Sequence, residues 1–126
     1  MSVILVDLGC DDHDCQINGW DWRPILQIIR LLQIFDADRL VRMGFNGGGA
    51  EVTEDEARLI AEFLEGEVLP LLSDQDRVRL DLAVSNEGRW EGPIESAPQE
   101  RLYGASKECL VGFASFCRSC RGFRVY

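Results

Sequence analysis

The 126-residue sequence has no apolar run of the roughly 18 residues that a membrane-spanning helix needs, which excludes an integral membrane protein. Residues 1–8 contain no lysine or arginine ahead of their apolar stretch, so no secretory signal is visible and a cytoplasmic location is expected. Basic side chains are also scarce. Thirteen lysines and arginines against 22 acidic residues give a net charge of −9, which argues against a nucleic-acid binder.

Histidine, the most common catalytic base, is also scarce. The one histidine, His13, lies between Asp12 and Asp14, a setting typical of a solvated surface side chain. The glycine-rich segment 46–49 lacks the Gly-Lys-Ser/Thr ending of a P-loop and the G-x-G-x-x-G pattern of a dinucleotide site. We therefore identify no catalytic constellation and expect no cofactor, and an enzyme is not the favoured interpretation.

What is present is typical of an ordinary globular domain, with 46% hydrophobic and 28% charged residues. The length predicts one domain over residues 1–126. The hydrophobic pattern changes between periods of two and 3.6 residues in the order β-α-β-α-β-loop-α-β. These features predict an α+β fold with a small mixed sheet and about three helices packed against it.

Two strands, one helix and one loop are predicted in the first part of the chain. The nearly continuous apolar run at 3–8 predicts a strand buried on both faces, and residues 10–17 form an acidic loop. A helix is predicted over 21–35, where apolar residues leave only a narrow polar stripe. Alternating apolar residues predict another strand at 39–45.

A capping box formed by Thr53 and Glu56 opens the next predicted helix, which Pro70 ends or kinks. Strict alternation over 78–84 predicts a strand with one buried face. Residues 85–99 have no sustained period and are predicted to be an irregular loop. The buried stripe of the capped helix is predicted to be Ala57, Ile60, Ala61, Leu64, Val68 and Leu71.

Ser106 is predicted to cap a last helix, and residues 123–126 to form a short terminal strand. All these elements should share one core. The residues that we predict to meet there are Ile25, Ile29, Leu32, Ile60, Leu64, Leu80, Leu82 and Phe113.

Two cysteine clusters raise the possibility of a structural metal. Cys10, His13 and Cys15 lie within six residues, and Cys117 and Cys120 form a C-x-x-C pair. Structural zinc often joins two such clusters, so a zinc-stabilised domain is one hypothesis. The alternative is that the thiols are reduced and that Cys117 is a small buried apolar residue. Redox catalysis is disfavoured because this C-x-x-C lies at a helix C-terminus, where the dipole does not activate a thiol.

Negative charge is concentrated in residues 51–76, where nine acidic residues face Arg58 alone. This pattern favours a non-enzymatic module that binds a basic protein through an acidic helix face, as immunity and inhibitor proteins do. A chain that is merely kept soluble by its charge is the alternative. The predicted binding residues are Glu54, Asp55, Glu62, Glu65 and Trp90, the last of which stands in the irregular loop as a fold anchor or a contact residue.

Several local segments resemble landmarks of a group of small bacterial proteins without a known activity. These segments are Trp20-Asp21-Trp22-Arg23-Pro24, Phe45-Asn46-Gly47-Gly48-Gly49, Val52-Thr53 with Glu56-Ala57, and Gly122-Phe123-Arg124-Val125-Tyr126. The resemblance implies a bacterial, cytoplasmic origin. It implies no catalytic residue.

Overall fold

The first and last strands of the described chain pair in an antiparallel sheet. A computed structural model describes residues 2–88 and 90–126. Strands β1 (Ser2–Asp7), β2 (Asp14–Asn18), β3 (Glu51–Val52) and β7 (Phe123–Val125) form this sheet in the order β2-β1-β7-β3. Phe123 lies opposite Asp7 on one side and Val52 on the other.

The β1–β2 hairpin corrects two predictions. The strand at 3–8 is buried on one face, because Val3 and Leu5 are buried while Ile4 between them is 40% exposed. The predicted loop at 10–17 supplies a strand, since Asp14–Asn18 pairs with β1 and Ile17 lies opposite Val3. Paired strands satisfy each other's backbone groups, and this gain outweighs the poor strand propensity of Asp14.

A second antiparallel sheet has the order β5-β4-β6, from β4 (Arg77–Arg79), β5 (Val84–Ser85) and β6 (Gly104–Ser106). The continuous strand predicted at 78–84 is therefore wrong. The chain reverses after β4: Leu82 has φ +71°, and Arg79 N–H donates to the Ala83 carbonyl at 2.8 Å. Apolar and polar residues alternate in the same way in one continuous strand and in a tight hairpin, so the sequence pattern could not distinguish the two.

The first two helices are joined by a buried tryptophan. Helix α1 spans Gly19–Leu31 and is capped by Asn18, whose side chain accepts a hydrogen bond from Asp21 N–H. The indole N–H of Trp22 donates to the Met43 carbonyl at 2.8 Å, which holds α1 against α2 (Ala37–Met43).

The strand predicted at 39–45 is wrong because these residues belong mostly to α2. Asp36 caps the helix by accepting a hydrogen bond from Arg39 N–H at 2.7 Å. Of the alternating apolar residues, only Met43 is buried, while Val41 is 60% and Phe45 49% exposed. The local cap therefore decides the conformation, and no strand partner buries the predicted face.

Helix α3 (Glu54–Phe63) begins with the predicted capping box. It continues as a π-helical turn at Leu64–Val68 and a 3-10 turn at Leu69–Leu71. The wider turn changes the angular phase of later side chains, so Leu71, predicted to be buried, is 72% exposed.

The C-terminal part contains the short helix α4 (Gln99–Leu102) and the helix α5 (Lys107–Ser119), which Ser106 caps as predicted. Between β5 and α4 the chain is largely irregular, with one 3-10 turn at Ile94–Ser96, and residue 89 of this loop lies outside the described residues. No helix in the described ranges is both long and apolar enough to cross a membrane.

One hydrophobic core connects these elements. The predicted α+β class is confirmed. In place of the one mixed sheet that was expected, the described strand pairs are all antiparallel and form two sheets. Leu32 and Leu82 only pack against the core, and Leu80 is half-buried because it sits in the β4–β5 turn. The predicted core residues that are fully buried are Ile25, Ile29, Ile60, Leu64 and Phe113.

Candidate functional site

The start of α3 is held by Glu56. Its carboxylate accepts a hydrogen bond from Thr53 N–H at 2.9 Å, while the Thr53 hydroxyl accepts one from Glu56 N–H. The Arg39 guanidinium donates to both carboxylate oxygens. Burial by itself would raise the pKa of Glu56, but the bonds from Arg39 and Thr53 outweigh it and lower this pKa. Glu56 is therefore committed to fixing the helix and is not free to contact a partner.

The outward side of α3 carries a stripe of three exposed residues at positions i, i+4 and i+7. We call Asp55, Leu59 and Glu62 the acidic stripe. The buried residues of the helix, including Ile60, lie on the opposite side. Leu59 is 45% exposed between the two carboxylates. Within the described part of the chain, neither Asp55 nor Glu62 forms a hydrogen bond or a direct ion pair through its carboxylate, although the charge of Glu62 also attracts Arg118 of the last helix.

The other two predicted carboxylates of α3 and the turn after it are neutralised by arginines. Glu54 pairs with Arg58 at 3.7 Å, one helical turn along. Glu65 accepts two hydrogen bonds from Arg118 of α5, both at 2.9 Å. The hydrogen bond from Arg118 lowers the pKa of Glu65, and the same bond raises the pKa of Arg118. Glu65, a predicted binding residue, is thus exposed as predicted but is paired, and it links the π-helical turn after α3 to α5.

Neutralisation extends to much of the acidic segment. Arginines that are distant in sequence reach it from α2, α5 and β7, and Lys107 reaches it from the start of α5. The paired carboxylates of residues 51–76 are Glu51, Glu54, Glu56, Glu65 and Asp74. The acidic face is consequently much narrower than the sequence predicted, and the acidic stripe is its unpaired centre.

Trp90 folds back onto its own loop. The indole N–H donates to the Pro93 carbonyl at 3.0 Å, and the Arg101 guanidinium lies 5.4 Å from the ring. Together with Trp20 of α1 and Ile94, these side chains line a small cavity of about 170 Å³. None of the residues that line this cavity belongs to α3. Trp90 is thus placed with α1 and α4, separate from the acidic stripe.

The cysteines have very different environments. Cys10 is exposed and Cys15 half-buried, whereas Cys117 and Cys120 are buried, as predicted for Cys117. Burial raises the pKa of Cys117 well above its ordinary value, and repulsion from the Cys120 and Cys15 thiolates, when these ionise, acts in the same direction. Such a thiol is a poor nucleophile and a poor metal ligand. Within residues 2–88 and 90–126, no three His, Cys, Asp or Glu side chains are grouped so that they could hold a metal ion.

His13 is instead held by Asp7, a residue that the sequence analysis missed. The His13 ring donates through Nδ1 to the Asp7 carboxylate at 2.6 Å and packs on Phe116, with ring centroids 4.9 Å apart. Asp7 also accepts hydrogen bonds from the backbone N–H of Gly9 at 2.8 Å and of Arg121 at 3.0 Å.

Asp7 is only 4% exposed, so burial favours raising its pKa. The hydrogen bonds from His13, Arg121 and Gly9 outweigh that effect and lower the pKa. The sequence feature that could have identified Asp7 is its position two residues after Leu5 on an apolar strand, which places both side chains on the buried face. A carboxylate at such a position needs several donors, which identifies it as a structural junction.

Comparison with models of known protein families, with curated proteins and with solved structures found no match to this chain. No relative therefore indicates what the site binds, and only its own geometry bears on that question. The geometry offers an exposed leucine between two unpaired carboxylates on a rigidly capped helix. Such an arrangement suits contact with another protein, where an apolar centre is surrounded by polar groups.

Proposed function

We propose that this chain is a non-enzymatic protein-binding module whose acidic stripe contacts a basic surface of a partner protein, in the manner of immunity and inhibitor proteins. The observation that carries this proposal is the exposure of Leu59 between Asp55 and Glu62, whose carboxylates have no ion pair in the described structure. Leucine supplies apolar contact area, and the unpaired carboxylates supply attraction and orientation.

A protein is favoured over a nucleic acid as the partner because a chain with a net charge of −9 repels a phosphate backbone. A cytoplasmic location is favoured because no disulfide links the cysteines in the part of the chain that the structure describes, as is usual where thiols are kept reduced. Rigidity favours binding too. The capping box and the Glu65–Arg118 pair fix α3 before contact, so little ordering entropy is lost on association.

The test is a quantitative pull-down from an extract of the source cell with the immobilised chain. Leu59→Ala removes the apolar centre. Glu62→Lys reverses one charge and breaks no direct ion pair, although it also removes the attraction between Glu62 and Arg118. Each substitution should lower recovery of a basic partner and weaken its Kd at least about tenfold, which corresponds to about 1.4 kcal/mol of binding free energy. Wild-type association should slow as salt rises, because the attraction is screened.

Matched controls have the same chemistry elsewhere on the surface. Val111 of α5 is 47% exposed, close to the value for Leu59, so Val111→Ala controls for the loss of apolar area. Glu91 is exposed in the irregular loop, so Glu91→Lys controls for the change of net charge. If all four variants recover the partner equally, the stripe is a solvated helix face and the cavity beside Trp90 becomes the better candidate.

A further inference from the structure

A groove between α1 and α2 is positively charged in this otherwise acidic chain. Its volume is about 380 Å³, and no carboxylate lines it among the described residues. Polar residues of α1 form one wall, exposed apolar residues of α2 and the turn after it form the other, and the β4–β5 turn adds Leu80. The lining residues that matter here are Arg23, Gln27, Arg30, Val41, Phe45 and Leu80.

Charge and apolar area in the groove are both available for contact. Arg30 is exposed and forms no ion pair or hydrogen bond through its side chain within the described residues. Arg23 is exposed as well, with its guanidinium 5.8 Å from the centre of the Tyr103 ring. Val41 is 60% and Phe45 49% exposed on the opposite wall. Arginine beside exposed aromatic and aliphatic side chains is typical of a protein interface.

The polar wall repeats the spacing of the acidic stripe with opposite charge. We call Arg23, Gln27 and Arg30 the basic stripe; they occupy positions i, i+4 and i+7 of α1. The acidic stripe has the same spacing on α3, with carboxylates at its ends. Seven residues of helix advance about 10.5 Å, so the two end charges of each stripe are separated by the same distance along the axis.

We propose that the groove binds the acidic stripe of a second copy of this chain. The equal spacing lets both carboxylates meet arginines whichever way the two helices run. Leu59 then faces Gln27 between the two arginines, and its side chain lies beside the apolar wall that contains Phe45. This inference rests on the proposed function, since it names a partner for the same stripe. Binding buries charge only against opposite charge, which avoids the penalty of an unpaired ion.

The first measurement is sedimentation of the purified full chain from about 1 μM to about 1 mM, a range that covers weak and moderate association. The average mass should rise above that of one chain as concentration increases. The rise should be smaller at high salt, because attraction between exposed charges is screened.

Charge reversal then tests the pairing of the two surfaces. The groove variant combines Arg23→Glu with Arg30→Glu, and the stripe variant combines Asp55→Lys with Glu62→Lys. Each alone should remain a single chain. An equimolar mixture should associate again, because each stripe then meets a groove of opposite charge in either helix direction. Arg121→Glu, an exposed change outside both surfaces, should associate like wild type.

Circular dichroism should show that every variant is folded, and the milder Arg30→Gln should weaken association at least about threefold if a double variant does not fold. A wild-type chain that stays single at all concentrations, or a mixture that fails to associate, overturns the inference. Association that all variants retain overturns it too. If the chain stays single while an extract partner still depends on Leu59 and Glu62, the second copy is excluded and the proposed function stands.

Discussion

Replacing Asp7 should destabilise the fold more than any other change of a single carboxylate in the β1–β2 hairpin. Its carboxylate accepts hydrogen bonds from His13, from Gly9 N–H and from Arg121 N–H, and it is nearly inaccessible to water. A hydrogen bond to a charged group contributes about 1.5–3 kcal/mol, but water can replace part of it where a donor is half-exposed. We therefore expect Asp7→Ala to lower the free energy of unfolding by about 2–4 kcal/mol.

Unfolding in urea, followed by tryptophan fluorescence, measures this loss at neutral pH. Asp7→Asn should cost about half as much, because the amide oxygen still accepts one backbone hydrogen bond but carries no charge. Asp12→Ala is the matched control in the same turn, and it should change stability by less than about 0.5 kcal/mol because Asp12 is exposed. A cost below about 0.5 kcal/mol for Asp7→Ala would refute the reasoning.

The dependence on pH provides a second check. The pKa of Asp7 is lowered in the folded state, so its charge stabilises the fold fully above the unfolded-state pKa of about 3.9. That contribution disappears as pH falls through the lower folded-state pKa. The stability difference between wild type and Asp7→Asn should therefore shrink as pH is lowered from about 5 to about 3. A stability difference that is the same at about pH 5 and at about pH 3 would contradict a stabilising role for the ionised Asp7 carboxylate.

Three further predictions concern a buried leucine, a glycine with positive φ and the cysteines. Leu64 is 1% exposed, so Leu64→Ala should lower the free energy of unfolding by about 2–5 kcal/mol through cavity formation, as measured by urea unfolding. Gly122 has φ +88°, and a Cβ there would lie 2.6 Å from the Val52 carbonyl oxygen. Gly122→Ala should therefore cost about 1–3 kcal/mol in the same assay. In a thiol titration, Cys10 should react readily in the native protein, whereas Cys117 should react only after unfolding. Elemental analysis of protein purified without chelator should find no stoichiometric zinc.

Elements whose determinants lie close together in the sequence were predicted well. The capping box at Thr53 and Glu56 and the cap at Ser106 each need only groups within three residues, and both form as expected. The same reasoning was wrong at 39–45, where Asp36 caps a short helix. It was also wrong at 78–84, where a turn at Leu82 divides the strand. Alternating apolar residues describe which side chains are buried, but they do not show whether a strand partner exists.

Placement of the candidate site depended on contacts that no local pattern contains. The acidic composition of α3 was readable, but which carboxylates remain unpaired was decided by Arg39 and Arg118, which arrive from other helices. Arg118 lies 53 residues from Glu65, the partner it neutralises. The basic stripe was visible only as a narrow polar face of α1, and α2 turned that face into the wall of a groove.

The sequence by itself determined the α+β class, the two capped helices and the burial of Ile60, Leu64 and Phe113, because hydrophobic period and helix caps act over a few residues. Only the tertiary structure decided that Asp7 is a junction, since its donor at Arg121 lies 114 residues away. It likewise decided which surface charges remain free. Ion pairs and buried hydrogen bonds depend on distance in space, and packing sets that distance independently of separation along the chain.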